Sequence, residues 1–151
     1  MIWTSNFLHS DYGSLTVLIQ KDIGGLEILS NSSFWIPAPV IPNHVLINIG
    51  DLLEFWTKGL FKSTVHRVVA RNNKTSGDKN FAPDNDRYSI AYFCHAEDDV
   101  GLDPIPSKII DVLDENTKVW DKVGYKEGAK GKVITSGEHL RYRLDVSYKY
   151  C

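Results

Sequence analysis

Through the first two thirds of the chain, apolar and polar positions alternate over short distances, and that rhythm predicts strands. Ser14 to Gln20 reads as a strand, and the Gly24-Gly25 pair turns the chain into another over Leu26 to Leu29, which ends at the polar Ser30 to Ser33. Phe34-Trp35-Ile36 predicts a brief strand stopped by Pro37, Pro39 and Pro42, since proline cannot donate to a ladder. In Val45 to Ile49 both faces are mostly apolar, which predicts a central strand. Gly50-Asp51 breaks it before LLEFWTKG, where Leu52, Leu53 and Trp56 have helix-like spacing in a stretch short for a helix, ended by Gly59. Phe61 to Ala70 predicts a strand carrying His66, Asn72 to Asp86 a surface loop, Arg87 to Phe93 a further strand, and Val100 to Ile105 a weak one before Pro106. Short strands without helices between them argue for a sandwich or barrel-like pair of sheets, not a parallel α/β sheet.

The last third changes character. Ile109 to Lys130 is charged and poorly periodic, with room for a helical turn or two. Thr135-Ser136-Gly137-Glu138 is a capping box, with Leu140, Leu144 and Tyr148 following on one face, so a terminal helix from Ser136 to about Tyr148 is expected.

Length and composition narrow the picture. At 151 residues and 17.1 kDa, with 42% hydrophobic and 24% charged residues, the chain predicts one domain over 1–151 that can bury a core. A net charge of -2 with no basic run gives no footprint for nucleic acid or an anionic membrane. No stretch reads as a signal sequence or a membrane span. Cys94 and Cys151 have no metal-type spacing, which favours a reducing compartment and a cytoplasmic protein. Matches to the glycosylation pattern at Asn31 and Asn73 carry no weight without a secretory signal.

The candidate chemistry lies in three places. His9-Ser10-Asp11 is an H-x-D pair, and in an extended segment residues two apart project to one side, so imidazole and carboxylate can meet one cation. Alone this is a weak signal, because so short a pattern also arises by chance. His66 sits in KSTVHRVV on a predicted strand, where an isolated His is more often a core residue. Together, two His and one Asp form the facial-triad set that leaves open positions on Fe(II). Arg87 and Ser89 alternate onto one strand face, a fork suited to a carboxylate, although an R-x-S at a strand edge is commonly only solvated.

The blocks HSDYGSLTVLIQKDIGGLEIL, WIPAPVIPNHVLINIGDLLEFWTKGLFKSTVHRVV and DRYSIAYFCH follow one another in the order seen in the isopenicillin N synthase-like, Fe(II)- and 2-oxoglutarate-dependent oxygenases, which the chain resembles from about Leu8 to His95; ITSGEHLRYRL resembles the closing helix of many members. The resemblance implies a mainly β fold, a distorted double-stranded β-helix or jelly roll with its core over about 8–105, then an irregular segment and terminal helix over 106–151. It implies that His9, Asp11 and His66 hold Fe(II) and that Arg87 and Ser89 grip the distal carboxylate of 2-oxoglutarate, with O2 as second cosubstrate. The reaction it implies oxidises, most often hydroxylates, a small-molecule substrate with release of succinate and CO2.

Eight residues precede His9, whereas members of that family carry well over a hundred there, so the jelly roll is expected to be incomplete at its N-terminus, with an open sheet edge and bared apolar surface. The family's tyrosine contact to 2-oxoglutarate has no counterpart, and Gly is absent before the H-x-D pair. Three alternatives stay open. One is a non-catalytic remnant, another an Fe(II) oxidase that works without 2-oxoglutarate, and the third a zinc hydrolase, for which no motif places a general base. Substrate and oligomeric state are not legible.

Overall fold

A computed structural model describes residues 8–69, 86–113 and 133–148. Most of the predicted 72–86 loop, the greater part of the charged segment to Lys130, Asn73 and Cys151 lie outside the described residues. The elements are β1 (Leu15–Gln20), β2 (Leu26–Leu29), β3 (Trp35–Pro37), β4 (Leu46–Ile49), α1 (Asp51–Trp56), β5 (His66–Val68), β6 (Ser89–Cys94), α2 (Lys108–Asp111) and α3 (Ser136–Tyr148). Two three-stranded sheets result, ordered β4-β1-β6 and β3-β2-β5. The described chain divides into two compact units, one of residues 8–10, 17–47, 64–69 and 86–92, the other of 11–16, 48–63, 93–113 and 133–148.

In the first unit, β2 pairs antiparallel with both neighbours, so Ile28 stands opposite Ile36 on one side and His66 on the other. Directly opposite residues point to the same sheet face, and successive residues alternate. One face therefore carries Leu26, Ile28, Ile36, His66 and Val68; the other carries Glu27, Leu29, Trp35 and Arg67. The second face is tied by charge: Arg67 donates to Glu27 from Nε at 2.8 Å and from its Nη2 at 2.7 Å, and its guanidinium lies 4.0 Å over the Trp35 ring. Pro37 does not stop the strand before it but is the last residue of β3, an outer strand of this sheet among the described residues. A missing N–H is tolerated at an edge.

The second unit closes around Leu52, Phe55, Leu102 and Ile134, with Trp56 packed against them. Gly50 caps α1, and a Cβ there would overlap the Gly13 carbonyl oxygen, so only glycine allows this approach. The expected strand over Phe61 to Ala70 shrinks to His66–Val68; at its start the Phe61 N–H is taken by the Thr57 hydroxyl at the end of α1 and not by a strand partner. The weak strand expected over Val100 to Ile105 reduces to one bridge between Gly101 and Thr135.

Helix α3 starts as its capping box dictates: the Thr135 hydroxyl accepts from the Glu138 N–H at 3.2 Å, and the Glu138 carboxylate from the Thr135 N–H at 3.1 Å. Its buried side differs from the expected apolar stripe. Ser136 and His139 are fully buried, whereas Leu140 and Leu144 are only partly so. Ser136 is satisfied there, donating to the Ala96 carbonyl at 3.0 Å and meeting His95 Nε2 at 2.9 Å, whereas both ring nitrogens of His139 are buried without a hydrogen-bond partner among the described residues.

Strand β4 is also not central as expected; among the described residues it is an outer strand, with Val45 just before it and Ile47 within it 51% and 59% exposed. Alternation reports apolar content, not the number of neighbours. Strand β6, the other outer strand of this sheet among the described residues, leaves Ile90, Tyr92 and Phe93 exposed.

His139 supplies a test of this core. Burial first, then the nearby Arg143 and His95 charges, lower its pKa to about 4. The unfolded chain, whose His titrates near 6.5, takes up this proton first as pH falls, so stability is full above pH 6.5 and declines toward pH 4. The loss attributable to this group is about 3 kcal/mol. Urea unfolding between pH 7 and pH 4.5 should show it, and His139→Leu should flatten that slope.

Candidate metal centre

His9 and His66 meet across a backbone bridge. The His9 N–H donates to the His66 carbonyl at 3.2 Å and the His66 N–H to the His9 carbonyl at 2.9 Å, which brings the two rings into edge-to-face contact with centroids 4.4 Å apart. A backbone carbonyl can only accept, so His66 Nδ1, 3.1 Å from the Thr64 oxygen, carries the proton, and the lone pair sits on Nε2. That is the tautomer in which a ring oriented by its other nitrogen ligates a metal.

Asp11 follows His9 after a single residue, so the chain itself keeps the carboxylate beside the imidazole. It is buried, at 6% exposure. The Thr16 hydroxyl at 2.6 Å and the Asn48 amide at 2.7 Å both donate to its Oδ2, which fixes the carboxylate plane. Its backbone is held as firmly, the Asp51 N–H donating to the Asp11 carbonyl at 2.7 Å and the Leu52 N–H to that of Gly13 at 3.1 Å. Asp51 in turn pairs with Arg143 of α3 at 2.6 Å, both side chains mostly buried. The Arg143 guanidinium also lies 4.9 Å over the Tyr12 ring.

Among the described residues, His9, Asp11 and His66 form the group of three that could hold a metal ion, their donor atoms all within 4.8 Å of one another. The expected triad thus comes together. Two imidazoles and a carboxylate suit a divalent first-row ion and leave coordination positions for other ligands. The remaining histidines are occupied elsewhere: His44 donates to the Pro42 carbonyl, His95 meets Ser136, and His139 lies in the core.

Arg87 and Ser89 are also brought together, although Arg87 lies before β6 and not on the strand expected from Arg87 to Phe93. The guanidinium donates to the Ser89 hydroxyl at 3.0 Å and, through Nε, to the Gly24 carbonyl at 3.1 Å. Partial burial lowers the Arg87 pKa, without making the group anything but a cation near neutrality. Gly25 adopts φ +129°, and a Cβ there would stand 2.9 Å from the Val69 oxygen and 3.6 Å from the Arg87 side chain. The glycine pair read from sequence only as a turn is therefore also the seat of this arginine. Thr16 and Asn48, which hold Asp11, were missed as site residues, since nothing in a strand-like pattern singles out a hydroxyl or amide that will face a carboxylate.

A candidate triad of this kind points to a class, the non-haem iron proteins of facial-triad type. The comparisons with known proteins then fix the family. Residues 6–96 match the model of the 2OG-Fe(II) oxygenase superfamily, and the chain belongs to that superfamily. It is 33% identical over 129 residues to a homoarginine-6-hydroxylase of Glycine max, matching 85% of this chain and 35% of the relative. It is 41% identical over 115 residues to a 1-aminocyclopropane-1-carboxylate oxidase of Dictyostelium mucoroides, matching 76% and 27%. A full-length Neurospora crassa protein crystallised in complex with alpha-KG and thymine superposes with a TM-score of 0.66 at 34% identity, over 93% of this chain and 37% of that one. A 2OG-Fe(II) oxygenase family protein from Caulobacter crescentus gives a TM-score of 0.69 at 29% identity, over 96% and 41%. The fold is accordingly the double-stranded β-helix expected, mainly sheet with a C-terminal helix. The chain spans roughly a third of the length of these curated relatives.

The Asp51–Arg143 pair gives the testable consequence of this geometry. Arg143→Gln and Asp51→Asn should each cost about 2–3 kcal/mol in urea unfolding, with the double variant costing little more than either. Additive losses would show that the pair does not act as a unit.

Proposed function

We propose that this chain carries the iron and cosubstrate site of an oxygenase that hydroxylates a small organic molecule, using Fe(II), 2-oxoglutarate and O2 and releasing succinate and CO2. The observation that carries this reading is the convergence of His9, Asp11 and His66. In it, His9 and His66 bind the metal through ring nitrogens and Asp11 through its carboxylate, held in place by Thr16 and Asn48. Arg87 and Ser89 bind the far carboxylate of 2-oxoglutarate. Bound Fe(II) supplies the activation of dioxygen, for which no side chain substitutes.

The layout of the first unit supports these roles. His66 and Val68 share a face with Ile28 and Leu26, and the chain then turns at Gly24-Gly25, where Arg87 is seated. The reading extends to a cytoplasmic protein, which the spacing of its cysteines favours.

A second reading draws on the likeness to the Dictyostelium oxidase, whose name gives it a carboxylate substrate. There Arg87 and Ser89 take the substrate's own carboxylate. Supplying Fe(II), ascorbate and 2-oxoglutarate and measuring succinate separates the two, since O2 uptake without succinate belongs to the oxidase.

Anaerobic Fe(II) with 2-oxoglutarate should give a weak visible charge-transfer band. Asp11→Ala should abolish Fe(II) binding and Asn48→Ala weaken it by about 10- to 100-fold, while His44→Ala leaves it unchanged. Arg87→Leu should keep Fe(II) but weaken 2-oxoglutarate by about a hundredfold. Equal losses on replacing each of the five histidines would refute the ligand assignment.

A further inference from the structure

The register of the first unit places four residues in one transverse row on a single sheet face. His9 bridges His66, His66 stands opposite Ile28, and Ile28 stands opposite Ile36. The face is fixed independently, because Glu27, Trp35 and Arg67, the alternating neighbours of these residues, are bonded or stacked to one another on the other side. At the level of the proposed iron, the sheet thus continues as isoleucine only, and Ile36 remains 47% exposed and reachable. Charge in these strands is confined to the opposite face.

We infer that Ile28 and Ile36 form the substrate-facing wall beside the metal and select an uncharged, apolar group next to the carbon that is oxidised. This rests on the iron-site reading above. A charged group brought against this wall would give up hydration and find no partner among Ile28, Ile36 and Leu26, whereas a hydrocarbon or aromatic group would bury apolar surface from both sides. Apolar walls discriminate by such desolvation more than by shape.

The test uses the whole chain loaded with Mn(II) and 2-oxoglutarate, with indole as uncharged probe and homoarginine as charged probe. Metal binding is followed by electron paramagnetic resonance, and proximity of each probe by Mn(II) broadening of its proton resonances. Indole should broaden and homoarginine should not. Ile36→Asp should weaken the indole effect by about tenfold or more while leaving Mn(II) affinity unchanged. Ile90→Asp, an exposed apolar position on the strand face opposite Ser89, should change neither. Mn(II) bound normally with indole unbroadened, or with broadening indifferent to Ile36→Asp, would overturn the apolar wall alone. Failure of the wild-type chain to bind Mn(II), or binding unaffected by His66→Ala, would overturn the iron site and the wall with it.

Discussion

The Asp11 carboxylate is buried, and much of the second unit is organised around it. Removing an anion from water costs several kcal/mol unless charge-assisted hydrogen bonds replace the lost hydration. Thr16 and Asn48 replace it on one oxygen, at 2.6 and 2.7 Å. Such short bonds need a rigid frame, and Gly13 and Gly50 provide it by letting backbone approach where any side chain would collide. The start of α1 then closes on the Asp11 carbonyl through the Asp51 N–H. In the first unit, His9 is bridged to His66, which joins two of the candidate ligands.

The same frame explains why α3 buries polar residues. Asp51 uses its N–H on Asp11 and its carboxylate on Arg143, so the helix reaches the ligand segment through one ion pair. Arg143 also covers Tyr12, whose hydroxyl meets Ser147 one turn further along. A purely apolar helix face would pack equally well but could not hold Asp51 in orientation. Ser136 and Arg143 are therefore better understood as connections to their surroundings than as lapses in an amphipathic pattern.

This also marks where the sequence was legible. Strand β2 matched its expected bounds because Gly24-Gly25 and Ser30 bracket it with unambiguous turn formers. Helix α3 was found because its start is chemical: Thr135 and Glu138 can satisfy each other's backbone groups whatever lies nearby. The candidate ligands stood out by residue type, and the double-stranded β-helix by the order of the motif blocks. What stayed hidden depends on neighbours that spacing does not encode. The alternation of β4 could not show that it has an outer place, nor could the leucines of α3 show that Ser136 and His139 would be the residues turned inward. Thr16 and Asn48 lie 5 and 37 residues from the carboxylate they hold, and only the fold connects them.

Register is the last constraint, because in a strand a shift of one residue turns every side chain to the other face. Such a slip of β5 against β2 would put Arg67 where His66 now meets His9, with a cation replacing a candidate metal ligand. The Arg67, Glu27 and Trp35 cluster opposes it, since two charge-assisted contacts and a stacked ring exist in only one register. Its members lie on the face away from the proposed iron and touch none of the ligands. They nevertheless determine which residue of β5 points at the metal, so part of the specification of the site is written on the side of the sheet where no chemistry takes place.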